Sequence, residues 1–126
     1  MNEPWAAVVV VISGPHVLAV ARDFHPTDLN FPGGRADPGD KTPVQTALRE
    51  LYEETGIRAQ TLELLDRWDH NGRPTFAYLA KTWKGRPRSS PEGKACWTLP
   101  SMLVHKSSTF HRANHRLIQR LGQLRA

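Results

Sequence analysis

Residues 5–13, WAAVVVVIS, form an apolar run rich in β-branched valine that stops at Ser13-Gly14-Pro15. HVLAVAR at 16–22 repeats the pattern, so the chain opens as two strands joined by a tight turn. Residues 23–43 break the pattern with four prolines, three glycines and four aspartates, and read as a long functional loop. Val44, Leu48, Leu51 and Thr55 then recur at helical spacing beside Ala47, which predicts a helix over 44–55 stopped by Gly56. Its packed face is expected to be Val44, Leu48 and Leu51.

Further along, TLELLDRW at 61–68 reads as a strand, with helix as the alternative. Asn71-Gly72 marks a turn and TFAYLAKTW at 75–83 another strand. A polar loop, 84–94, precedes a short strand and a helical turn in ACWTLPSMLV. Phe110, Ala113, Leu117, Leu121 and Leu124 make one apolar stripe of a closing helix, 109–124. The order of strands, loop, helix, strands and helix predicts an α/β fold with a mixed sheet. No repeat or composition break divides the chain, so one domain spanning 1–126 is expected.

Composition changes this picture little. Seventeen Lys and Arg against twelve Asp and Glu leave a net charge of +5, an attraction for polyanions without a named partner. Cys96 is the only cysteine, which excludes an internal disulfide and a multi-cysteine zinc site and fits a reducing compartment; its neighbour Trp97 makes it a packed residue. The apolar run at 5–12 is too short to span a bilayer, which takes ~20 residues, and it lacks a basic leader. A cytoplasmic protein with no membrane partner is the expectation.

The chemistry lies in FPGGRADPGDKTPVQTALRELYEETGI, residues 31–57. Glu50, Glu53 and Glu54 fall within about a 100° arc of the helix, where they repel unless a positive group sits among them. Arg49, at (i, i+4) to Glu53, is one such group. A hard divalent cation, Mg²⁺ or alternatively Mn²⁺, would turn repulsion into ligation, because such ions take oxygen ligands. Gly33 and Gly34 permit close backbone approach and positive φ, and Arg35 follows at once. A glycine turn, a cation and a carboxylate face are the parts needed to hold a metal–polyphosphate.

This segment resembles the Nudix box, G-x5-E-x7-R-E-U-x-E-E-x-G-U, where U is a bulky aliphatic residue. Gly34 matches the first glycine, and RELYEETGI at 49–57 matches the second half in full. Fourteen residues rather than thirteen separate Gly34 from Arg49. Asp40 therefore takes the first acidic position in a loop one residue longer, in a role that is mostly structural in the family. The resemblance implies an α/β/α sandwich with a mixed sheet and the box as loop–helix–loop. It implies metal-dependent hydrolysis of a nucleoside diphosphate linked to another group. Glu50, Glu53 and Glu54 would ligate the metal, Arg49 would orient them, Glu53 and Arg49 would count as catalytic, and Arg35 would face the phosphates.

The tail narrows the substrate. FHRANHRLIQRL, 110–121, is similar to the last helix of MutT-type members, where Phe-x-x-Ala-Asn leads into the helix. These are nucleoside triphosphate pyrophosphatases that release a monophosphate and pyrophosphate and prefer oxidised guanine nucleotides. The matching Asn114 could meet a purine edge with its acceptor and two donors, whereas Phe110 reads as core. Asn30 and Phe31 could line the base pocket, Arg22 could meet a phosphate, and Glu92 could supply a further ligand or the base. His111 and His115 at (i, i+4) lack a third ligand nearby, and Asp66 and Asp69 carry no motif.

Three other readings stay open. One is coenzyme A or ADP-ribose hydrolysis. Another is action on an RNA 5′ end, the one form in which nucleic acid would be a partner. The last is a non-catalytic nucleotide-sensing module, against which the intact glutamate set argues. The oligomeric state is not legible.

Overall fold

The computed structural model describes residues 4–125. The valine run divides between two sheets. Strand β1, Ala6–Val10, lies in a mixed sheet, and β2, Ile12–Ser13, turns through Gly14 (φ 58°) into β3, His16–Arg22. The single strand expected over 5–13 is thus two, because the chain changes sheets at Val11. Alternation along β1 explains why it has no polar face. Ala7 and Val9 enter one core and Val10 the other, so a layer covers each side of the sheet.

The long loop holds two short strands, β4 (Leu29–Asn30) and β5 (Gly33–Arg35). Helix α1, Pro43–Thr55, starts at Thr42, whose hydroxyl accepts from the Gln45 N–H at 3.2 Å, with Pro43 in the first turn. Gly56, at φ 78°, closes it by donating to Tyr52 O. Strands β6 (Arg58–His70) and β7 (Arg73–Lys84) form a long hairpin. Both residues of its turn, Asn71 (φ 52°) and Gly72 (φ 81°), take the left-handed conformation that a two-residue turn needs. β8 is Gly93–Thr98, a 3-10 turn spans Pro100–Leu103, and α2 is His111–Arg125.

The mixed sheet runs β5-β1-β7-β6. Only β1 and β7 are parallel within it, with Ala6 opposite Thr75. A smaller antiparallel sheet joins β3 to β2, β4 and β8. One apolar cluster joins Ala7, Val9, Leu18 and Tyr78 to Ala47, Leu51 and Ile57. The other joins Val10, Ala19, Leu65 and Ala77 to Leu117 and Leu121. The layers are therefore helix, sheet, helix.

Both helices differ from their expected faces. On α1, Ala47 and Leu51 are buried but Val44 and Leu48 are exposed, while Thr46, Glu54 and Thr55 are inside. The hydroxyls explain the exchange: Thr46 joins a polar chain to Trp5 and Asp40, and Thr55 donates to Leu51 O at 2.6 Å. On α2, Leu117 and Leu121 are buried and Leu124 is exposed; Phe110, expected on this helix, stands before its first residue and is exposed as well. No described helix is long and apolar enough to cross a membrane.

Candidate active site

β5 lies antiparallel to β1, with Gly33 opposite Val8 and Gly34 opposite Ala7. Neither glycine has a positive φ, which corrects one reason expected for them. Close approach accounts for both. A Cβ on Gly33 would overlap Ala7 O and come within 2.9 Å of Val8 Cα, and one on Gly34 would sit 2.6 Å from the Glu50 carboxyl carbon. The Gly33 N–H donates to Glu54 Oε1 at 2.8 Å, which ties the turn to the last coil of α1.

Arg49 organises the rest of the loop. Its guanidinium meets Asp40 Oδ2 at 2.8 Å, Glu50 Oε1 at 2.9 Å and Glu53 Oε2 at 3.1 Å, and donates to Arg35 O at 3.2 Å. Asp40 Oδ2 also accepts from Thr46 Oγ1 and from the Asp37 N–H. The Arg49 hydrogen bond holds the Asp40 carboxyl far below the ordinary carboxylate range. Asp40 is therefore the acid through which Arg49 and Thr46 of the helix hold the loop.

Glu50, Glu54 and Glu92 each bring a carboxylate oxygen within 4.8 Å of the others, the one such cluster of three among the described residues. Burial, chiefly, and the neighbouring Glu50 and Glu92 push the Glu54 carboxyl up to about 8 against the opposing Gly33 N–H. Burial likewise raises Glu50 despite Arg49. Oxygen-only donors, crowded and short of positive charge, suit a hard divalent cation. Glu53 stands apart from this group: its side chain is 49% exposed and paired with Arg49.

The three carboxylates line a cleft of about 750 Å³. Arg22, Phe31, Gly33, Gly34, Arg35 and Asn114 line the same cleft, so residues far apart in sequence meet there. Arg49 and Glu53 lie outside its lining. Asn114 is buried, and its Nδ2 donates to Leu103 O at 2.9 Å and to Asn30 Oδ1 at 3.1 Å. Both donors expected for the substrate are thus used internally, and Oδ1 is left as its acceptor.

Sequence reasoning missed part of the wall. Phe110, expected in the core, is 44% exposed at the cleft with the Arg22 guanidinium 5.4 Å from its ring centre. His70, Asn71 and Arg73 reach the cleft from the β6–β7 turn. The Asn71-Gly72 signal located that turn, but no local pattern could say that it faces the box. Cys96 is half-buried, and burial raises its thiol.

Comparison with known proteins agrees with this fold. The NUDIX domain family matches residues 3–121. An 8-oxo-dGTP diphosphatase of Haemophilus influenzae is 39% identical over 98 residues, covering 74% of this chain and 69% of that protein. An 8-oxo-dGTP diphosphatase of Escherichia coli K12 is 30% identical over 109 residues, covering 82% of each. The solved MutT Nudix hydrolase of Burkholderia pseudomallei superposes with a TM-score of 0.74 at 22% identity, covering 94% of this chain and 99% of its own. The chain belongs to the Nudix family. It is a MutT-type member, a pyrophosphohydrolase with the fold of that group.

Proposed function

We propose that the protein hydrolyses a nucleoside triphosphate, with an oxidised purine deoxynucleotide as the preferred class, to a monophosphate and pyrophosphate in the presence of Mg²⁺. The observation that carries this reading is one cleft lined by the Glu50–Glu54–Glu92 cluster and by Phe31 and Asn114. The two 8-oxo-dGTP diphosphatase relatives support the substrate class.

Glu50, Glu54 and Glu92 would hold the cation, with Glu53 beside them on the same helix. A divalent cation supplies charge neutralisation at phosphate oxygens and acidification of water. Arg22 and Arg35, both exposed at the cleft, attract and orient the polyphosphate. Arg49 holds the loop and the glutamates in register through its four carboxylate contacts. Glu92, exposed and carried by a loop before β8, reaches the cluster from outside the helix of the box and would position the attacking water beside the cation. Phe31 and Asn114 form the base wall.

A substrate panel with Mg²⁺ tests the reading: 8-oxo-dGTP, the four ordinary dNTPs, ADP-ribose, coenzyme A and 5′-triphosphorylated RNA, with products identified. Turnover of a nucleoside triphosphate to a monophosphate and pyrophosphate is expected. Turnover of coenzyme A or ADP-ribose alone would move the substrate class. No turnover of any compound would favour the sensing module.

A further inference from the structure

Asn30, on β4, is buried and lines the cleft, yet its side chain is committed to the protein. Its Oδ1 accepts from two donors that stand at the start of α2: the Phe110 backbone N–H at 3.0 Å and Asn114 Nδ2 at 3.1 Å. Its Nδ2 donates to Asp28 Oδ1 at 2.8 Å. Asp28 in turn accepts from the Thr109 N–H at 2.7 Å and from Thr109 Oγ1 at 2.8 Å. The loop before the box is thereby fastened to the first turn of α2 across about 80 residues of sequence.

The polarity of this chain follows from its fixed ends. Phe110 N–H can only donate, so the Asn30 atom facing it is oxygen. A carboxylate and a backbone carbonyl can only accept, so the Asn30 atom facing Asp28 and the Asn114 atom facing Leu103 O are both nitrogen. Neither amide is free to flip. Asn114 therefore has an acceptor to offer and no donor, and Phe110, held by its backbone, lines the cleft with the Arg22 guanidinium 5.4 Å from its ring centre.

We propose that Asn30 is a positioning residue for base recognition: through one oxygen it fixes both the backbone that carries Phe110 into the cleft and the Asn114 amide. The cleft then offers a base an aromatic face and a hydrogen-bond acceptor, and selects bases that carry an N–H on the edge presented. This rests on the base-wall reading under Proposed function. It adds Phe110 as a stacking surface and assigns Asn30 an organising role without direct hydrogen bonding to the base.

The test uses the full chain without metal, so that it does not depend on hydrolysis. Calorimetry compares dGMP with 2′-deoxypurine riboside 5′-monophosphate, which lacks every base N–H. The unaltered protein should prefer dGMP by about tenfold or more, the effect of one hydrogen bond on a buried acceptor. Asn30→Ala should reduce that preference to about twofold. Asn30→Asp combined with Asp28→Asn, which keeps the acceptor for Phe110 and Asn114 and moves the donor to position 28 so that no two carboxylates face each other, should retain more of it than Asn30→Ala. With a hydrolysed triphosphate, KM should carry the larger share of the Asn30→Ala loss. A purely structural role would weaken both monophosphates in proportion and leave the ratio unchanged, which overturns the proposal, as does equal binding by the unaltered protein.

Should Asn30→Ala fail to fold, NMR of the unaltered chain decides. The Asn114 side-chain NH₂ protons should exchange slowly and stay so when dGMP binds; rapid exchange contradicts the fixed amide. A dGMP preference without triphosphate turnover would sink the proposed reaction and leave this inference standing. Turnover without the preference would do the reverse.

Discussion

The Gly33 N–H donates to Glu54 Oε1 at 2.8 Å, so the glycine turn is held directly by a member of the carboxylate cluster. Two adjacent glycines thus have different jobs. Gly33→Ala would drive a Cβ onto the β1 backbone, which cannot move aside, and is expected to cost about 2–4 kcal/mol. Gly34→Ala would press on the end of a side chain, Glu50, and should fold with a smaller loss while impairing turnover. Thermal melts and turnover of the two variants check this; equal melting losses would contradict it.

The Asp40–Arg49 pair predicts an acid-sensitive step. Asp40 has a folded pKa far below its ordinary 3.8, chiefly through the Arg49 hydrogen bond. Its stabilisation is therefore complete above the unfolded value and is lost as pH falls below about 4 towards the folded one. Asp40→Asn should lower the melting temperature by a constant amount above pH 5, and the gap should narrow below pH 4. A gap independent of pH would remove Asp40 from this role.

Glu54 predicts the opposite slope. A carboxyl pushed up to about 8 is disfavoured as an ion in the fold, so the metal-free protein should lose stability as pH rises from about 4.5 through 8. A bound cation must displace that proton. Mn²⁺ affinity should rise by about tenfold per pH unit up to pH 8 and then level, with proton release seen by calorimetry in two buffers. An affinity flat between pH 6 and 8 would contradict the assignment.

The exposed positions of α1 give a packing prediction. Leu48→Lys should change stability by about 0.5 kcal/mol or less, whereas Leu51→Ala should cost about 2–5 kcal/mol. Urea unfolding of the two variants measures the contrast.

What the sequence made legible was what depends on near neighbours. The two termini of α1, the Asn71-Gly72 turn and the spacing of Glu50 and Glu54 follow from capping, left-handed turns and helical period. The face of α1 was misread because a threonine with a hydroxyl partner can be buried in place of a valine without one, and those partners, Asp40 and Trp5, are set by the tertiary fold. Phe110 was misread for a similar reason. Its backbone N–H is taken by Asn30, 80 residues away, and α2 begins only at His111, so the helical spacing that implied a core place does not reach Phe110. Glu92 shows the reverse case: a loop acid with no pattern of its own reaches Glu50 and Glu54 only through the β3–β8 pairing.

The most direct test is Mn²⁺ titration of the unaltered protein and of Glu50→Gln, Glu54→Gln, Glu92→Gln and Glu53→Gln, followed by water relaxation. The account predicts one site that each of the first three variants weakens by about tenfold or more, and Glu53→Gln by less. Mn²⁺ binding absent from the unaltered protein, or undiminished by Glu54→Gln, would contradict it.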